Sequence, residues 1–406
     1  PARHPDSGAA APTACGRRVS AGVDALPLYF DHAATTPVDA QVAAAMAECL
    51  TQEGTFGNPS SQHWYGRQAR ERIELSRSEV ARLVGAAAGD VLFTSGATES
   101  NNLAILGSVR SLGRRVHVVT VRTEHRSVLD ACGQLEREGH VVSYLEPDTQ
   151  GLIDATQLEA ALRAETALVS IMHANNETGV LQDVAALGAV CRRHAVALHV
   201  DAAQSAGKVP IDVGALGVDL LSFTAHKLYG PKGIGALVAS AAQRAILQPL
   251  LFGGGQERGI RSGTLAVHQI VGFAVACQIA TDELPRQAER LTRLTAMLWQ
   301  GLADLPGVLR NGHATRRVPG LLNVSFEGVD GESLLAGLSE LALSSGSACD
   351  SDSDEPSHVL RSLGRSRELA QSSLRFSLGR GTDEEQIRRA VAAVRREVLR
   401  LRAVAP

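Results

Sequence analysis

The sequence predicts an α/β protein with two domains: a large one built on a mostly parallel sheet flanked by helices, and a smaller α+β one. Three observations carry this. The chain has 406 residues, more than one compact core usually holds. From Leu28 onward, short apolar runs alternate with amphipathic stretches. The runs are continuously apolar instead of alternating with polar residues, the pattern of strands covered on both faces.

Residues 1–25 are rich in Ala, Gly and Pro, lack periodicity and lack the apolar core of a secretory signal. They read as a flexible extension. Strands are expected over residues 91–94, 116–121, 141–145, 167–173, 197–200, 220–224 and 235–238. Helices are expected between them over 100–107, 128–138, 157–162 and 184–194. After Thr281 the texture changes to a long amphipathic helix over 283–302, strands at 323–326 and 373–377, and a final charged helix from Asp383. The expected division is therefore residues 39–281 for the large domain, and 26–38 with 282–406 for the small one. No internal repeat is present.

Composition narrows the function. Hydrophobic residues make up 44% and charged residues 20%, ordinary for a soluble globular protein. A net charge of −3 and 3% aromatics argue against nucleic acid or an anionic membrane as the main partner. No apolar run of about 18 residues could span a bilayer. The six cysteines are scattered without a C-x-x-C pair, so neither a metal site nor a disulfide scaffold is expected. Free thiols in a chain of this length suit a reducing, cytoplasmic setting.

Ligands in open parallel sheets sit beyond the carboxyl ends of the strands, and the informative motifs follow the expected strands. SGATESN at 95–101 opens a helix, where free backbone N–H groups, the positive helix end and a Thr hydroxyl suit a phosphate. Taken alone, a plain turn with Thr98 as the helix cap is the preferred reading. No nucleotide-type glycine loop is present. TEH at 123–125 places His125 after a strand, where a structural role is the plainer alternative. NNETG at 175–179 offers two amides for a ligand or a turn. In HVDAAQ at 199–204, Asp201 ends an apolar strand, and a carboxylate at that depth needs a partner. A protonated pyridine nitrogen would serve. SFTAHK at 222–227, followed by YGPKG, delivers Thr224, His226 and Lys227 into the expected cleft. A lysine there can form a Schiff base. GGGQERGIRSGT at 253–264 fits a phosphate contact, a subunit interface or a flexible loop. SSGSAC at 344–349 puts Cys349 at the centre of a polar loop read as mobile, and Arg375 in SSLRFS suits either a substrate carboxylate or an ion pair.

These strings, together with YFDHAATTP at 29–37, resemble the NifS/IscS-type cysteine desulfurases, within the fold-type I, class V aminotransferase-like pyridoxal-phosphate (PLP) enzymes. Eight motifs occur in the family's order over nearly the whole chain. The resemblance implies that Lys227 carries the cofactor, Asp201 pairs with its pyridine nitrogen, and Gln204 and Asn176 meet its ring hydroxyl. It implies that His125 stacks on the ring and moves protons. Ala97, Thr98, Thr224 and His226 would hold the phosphate, joined by Thr264 from the second subunit of a homodimer. Arg375, with Asn176, would bind the carboxylate of L-cysteine. Cys349 would take the sulfur as a persulfide, leaving L-alanine, and pass it to an acceptor or scaffold protein for iron–sulfur assembly or thiolation. It would meet an iron–sulfur cluster only transiently. The SSGSAC form resembles the long-loop group. A selenocysteine lyase or another β-lyase of the same fold is the alternative. Two departures stand out. The loop continues Asp350-Ser351-Asp352-Ser353-Asp354-Glu355, more acidic than usual, which disfavours a thiolate or selects a basic acceptor. The chain also ends at Pro406, soon after the final helix, where many relatives continue with a tail that docks the scaffold, a departure that weighs against that particular partner.

Overall fold

The structure is a computed structural model that describes residues 26–345 and 355–404. The expected N-terminal extension and Cys349 with its acidic neighbours lie outside the described residues. In chain order the strands are β1 (Leu28–Tyr29), β2 (Val91–Thr94), β3 (His117–Val121), β4 (Val141–Leu145), β5 (Thr166–Met172), β6 (Ala197–Asp201) and β7 (Leu220–Thr224). They continue with β8 (Gly235–Ala239), β9 (Val308–Arg310), β10 (Leu321–Phe326), β11 (Leu341–Ala342), β12 (Ser344–Ser345) and β13 (Ser373–Ser377).

Seven of these form one sheet in the order β2-β8-β7-β6-β5-β3-β4. All neighbours run parallel except for β8, which is antiparallel to both β2 and β7. Every residue of β2, β3, β7 and β8 is buried, which explains their unbroken apolar character. The chain leaves β3 toward the edge strand β4, then returns to the other side of β3 as β5. Strand order thus reverses between β3 and β5, and the carboxyl ends of these two strands flank a crevice of the kind that binds ligands.

Large apolar clusters from Val42 to Ala280 cover the faces of this sheet. A separate cluster joins Phe30 to Leu294, Leu298, Leu302, Phe326, Phe376 and Val394 around the antiparallel sheet β12-β13-β10-β9. One helix, Val267–Leu302, links the two clusters. Its buried residues are Val267 to Ala280 at one end and Leu294 to Leu302 at the other, with none between. The helix expected from 283 therefore begins sixteen positions earlier, at Val267. The middle, half-buried or exposed, contains Pro285, a residue at home in a first turn, so the sequence there reads as a helix start.

Helices Ala40–Ala47 and Trp64–Arg82 were not expected. The second is highly charged, and only a narrow stripe including Ala69, Ile73 and Val80 is buried. The helix expected from Ser100 begins at Ala97 with Gly96 as its cap, so Thr98 is not the cap. It continues as a π-turn over Leu103–Gly107. Among the described residues, no helix is long and apolar enough to cross a membrane. Cys49, Cys132, Cys191 and Cys277 are free and buried, as small apolar residues are.

Candidate active site

A cavity of about 570 Å³ opens beyond the carboxyl ends of β2, β3, β5, β6 and β7. Its lining includes Ala97, Thr98, His125, Asn176, Asp201, Gln204, Thr224, His226, Lys227 and Arg375. Residues from Ala97 to Lys227 meet there because the strands before them end at the same edge of the sheet, and Arg375 joins them from β13 of the second sheet.

Asp201, the last residue of β6, is 5% exposed. Its Oδ2 accepts from Asn101 Nδ2 at 2.8 Å and its Oδ1 from the Ala203 N–H at 2.9 Å. Both partners are neutral donors, and no cation forms an ion pair with Asp201 among the described residues. They keep the carboxylate in place without cancelling its charge. Asn101 also donates to Ser127 Oγ at 2.9 Å, and Ser127 Oγ lies 2.9 Å from His125 Nδ1. His125 caps the helix Arg126–Arg137, with Nδ1 accepting the Ser127 N–H at 3.1 Å. An Nδ1 that accepts from the backbone leaves the proton of the neutral ring on Nε2. Burial pushes the His125 pKa down, with Lys227 adding to that and Asp201 opposing it, so the ring is neutral at pH 7.

Behind this row lies Glu124, 1% exposed. Its Oε1 accepts the Met172 N–H at 2.8 Å, bridging β3 to β5 at the switch point, and its Oε2 is buried without a partner. Burial, reinforced by Asp201, raises the Glu124 pKa well above the carboxylate range. Lys227 Nζ donates to the carbonyls of Ala33 and Ala34, the latter at 2.7 Å. Gln204 Nε2 donates to the same Ala33 carbonyl at 2.8 Å, and Gln204 Oε1 accepts from Lys208 Nζ at 3.0 Å. Burial, Lys227 and Arg375 push the Lys208 pKa down to about 7. Arg375, 2% exposed on β13, donates from Nη2 to Asp31 at 2.9 Å and from Nη1 to the Asn176 carbonyl at 3.1 Å. Its Nε is buried without a partner, and the pair with Asp31 is the ion pair that the sequence offered beside a substrate carboxylate.

The other end of the cavity is a cradle. The first N–H groups of the helix at Ala97 have no intrahelical acceptor and carry its positive end. Gly96 has φ +153°, and a Cβ there would meet only Thr224 Oγ1, at 3.9 Å. Gly235 of β8 lies directly beneath, where a Cβ would fall 2.6 Å from Gly96 Cα. Glu99 accepts the Ser95 N–H at 2.7 Å and pairs with Arg261 at 2.8 Å, tying the glycine-rich loop to the cradle. That loop is pinned further by Glu257, whose two oxygens take Arg77 at 2.8 Å each and whose Oε2 accepts the Phe93 N–H at 2.7 Å.

Comparison with known proteins fits this arrangement. The class-V aminotransferase profile matches residues 28–390. Cysteine desulfurase IscS of Aeromonas hydrophila subsp. hydrophila is 55% identical over 383 residues, 94% of this chain and 95% of that protein. The chain belongs to the class-V aminotransferase family. Within it, the IscS of Pectobacterium atrosepticum is 54% identical over 94% of this chain and 95% of its own. A NifS-like protein of known structure superposes with a TM-score of 0.85 at 34% identity, covering 93% of this chain and 100% of that one. A structure of SspA in complex with cysteine superposes at 0.78 with 39% identity, covering 86% and 98%. The family is PLP-dependent, and this fold is its fold.

Ten of the twelve residues singled out in the sequence line the cavity. Thr264 is exposed and lies outside the cavity of its own chain. Cys349 lies outside the described residues, but both flanks of its segment are placed. Ser344 pairs with Arg375 across β12 and β13, and Ser357 donates to Glu177, next to Asn176. Asn101, Ser127, Glu124, Lys208 and the Ala33 carbonyl were given no role in the sequence. Asn101, Glu124 and Ala33 had a signal, their places in the SGATESN, TEH and YFDHAATTP strings, whereas Ser127 and Lys208 had none. Among the described residues, no cluster of three or more His, Cys, Asp or Glu could hold a metal ion.

Proposed function

We propose that the protein is a PLP-dependent cysteine desulfurase, converting L-cysteine to L-alanine and moving the sulfur to Cys349. The observation that carries this is one cavity with a helix N-terminal cradle at one end, a buried carboxylate at the other and a lysine amine between. A dianionic phosphate suits the cradle, and a cationic pyridine nitrogen suits Asp201. PLP bound there supplies an electron sink that loosens bonds at Cα and Cβ of an amino acid.

The chain's own residues do the rest. Asp201, held by Asn101 and Ala203, keeps a proton on the pyridine nitrogen. His125 presents Nε2–H to the cavity and exchanges protons with substrate. Arg375 fixes the substrate carboxylate, with the Asn176 amide beside it. Ala97, Thr98, Thr224 and His226 hold the phosphate. Thr264, exposed on a pinned loop, serves the cavity of a second copy in a homodimer. The described residues on either side of Cys349 contact neighbours of the cavity, Ser344 opposite Arg375 and Ser357 on Glu177, which supports delivery of the Cys349 thiol to the substrate sulfur. The sulfur then passes to a protein acceptor for iron–sulfur assembly or thiolation. In the test, wild type and Cys349→Ala are given cysteine and selenocysteine. Loss of sulfide and alanine on cysteine alone supports the proposal, whereas equal activity of the two proteins on cysteine overturns it in favour of a β-lyase.

A further inference from the structure

The small domain holds a second cavity that the proposed reaction does not use. It has a volume of about 250 Å³, and its lining includes Thr292, Trp299, Gln300, Arg310, Arg317 and Pro319. No Asp or Glu lines it. The Arg310 guanidinium lies over the Trp299 ring, 5.1 Å from its centroid. Arg317 donates from Nη2 to the Thr178 carbonyl at 2.8 Å, and its Nε is buried without a partner. Among the described residues, neither guanidinium has a carboxylate oxygen within 4.0 Å.

Two cations sharing one concave, partly desolvated space without an acid is a costly arrangement. Burial and the neighbouring Arg310 charge push the Arg317 guanidinium down to about 10. An anion entering the cavity would relieve both effects, and paired guanidinium forks suit the oxygens of a carboxylate or phosphate. The volume exceeds that of a bare inorganic ion and approaches the lower end of metabolite sites, roughly 300 Å³. We propose that this cavity binds a small organic anion, its carboxylate or phosphate held by Arg310 and Arg317 and its body lying along Trp299.

The chain has two tryptophans, Trp64 and Trp299, so Trp64→Phe leaves Trp299 as the sole indole reporter. The test titrates Trp64→Phe holoenzyme with inorganic phosphate and, separately, with succinate at constant ionic strength, following Trp299 fluorescence and heat. One saturable event per chain is expected with at least one probe, and the probe that binds distinguishes phosphate from carboxylate chemistry. Adding Arg310→Gln should weaken it about tenfold or more, the worth of a charge-assisted hydrogen bond. Arg317→Lys, which keeps the charge but loses the fork, should weaken it severalfold. Cofactor absorption should be unchanged in both. Absence of saturable binding by either probe, or binding that both arginine variants retain in full, overturns the proposal.

Discussion

Asn101 shows what one side chain does in the active-site cavity. Its amide donates to Asp201 and to Ser127, joining the carboxylate to the histidine that faces the cavity. Asn101→Ala removes a donor to a buried charge, worth about 1.5–3 kcal/mol. The expected outcome is a fall in kcat of about tenfold or more with unchanged circular dichroism, measured on PLP-saturated enzyme. His125 makes a second test. Its folded pKa lies below the ordinary 6.5, so the neutral ring persists to lower pH than in a free histidine. The acid limb of kcat/KM assigned to His125 should therefore lie below pH 6.5 and be lost in His125→Gln, and a limb at or above that value contradicts the assignment. The sequence placed Asp201 and His125 in the cavity because each ends or follows an apolar run. It could not reveal the Ala33 carbonyl, because its contacts with Gln204 and Lys227 depend on how the segment after β1 crosses the sheet edge.

At the scale of elements, legibility followed burial. β2 and β7, buried throughout, fall on the residues expected for them, since covered strands read as unbroken apolar runs, and the half-buried edge strand β4 falls on its residues as well. β1, β11 and β12 are two residues each, too short to leave a pattern. The close approach of β8 to the cradle gives an element-level prediction. Gly235→Ala puts a methyl 2.6 Å from Gly96 Cα, so the cradle must shift, and PLP should dissociate faster on dialysis while the chain stays folded. The sheet also carries a pH term. His199 on β6 is fully buried, its ring nitrogens 2.8 Å from Ser170 Oγ and 2.9 Å from Ser222 Oγ, and burial holds its pKa down at about 3. The unfolded chain, with a histidine near 6.5, binds more protons between those values, so His199's contribution to stability is lost as pH falls from 6.5 toward 3. The urea midpoint should drop across that window, and less steeply in His199→Gln.

For the whole molecule, the helix Val267–Leu302 spans both apolar clusters, and Arg375 from the second sheet reaches the cavity of the first. The change from one apolar cluster to the other was legible because the apolar pattern breaks in the middle of the helix. The helix's continuity was not, because packing at its two ends carries it through Pro285. In the proposed reaction, substrate binding and sulfur removal would draw on both sheets, with Arg375 holding the carboxylate and Cys349 taking the sulfur. The most direct test of this account is mass spectrometry of the holoenzyme after brief incubation with L-cysteine. The account predicts one added sulfur on the peptide containing Cys349, absent in Lys227→Ala. Sulfide and alanine released at the full rate with no sulfur ever found on Cys349 would contradict it.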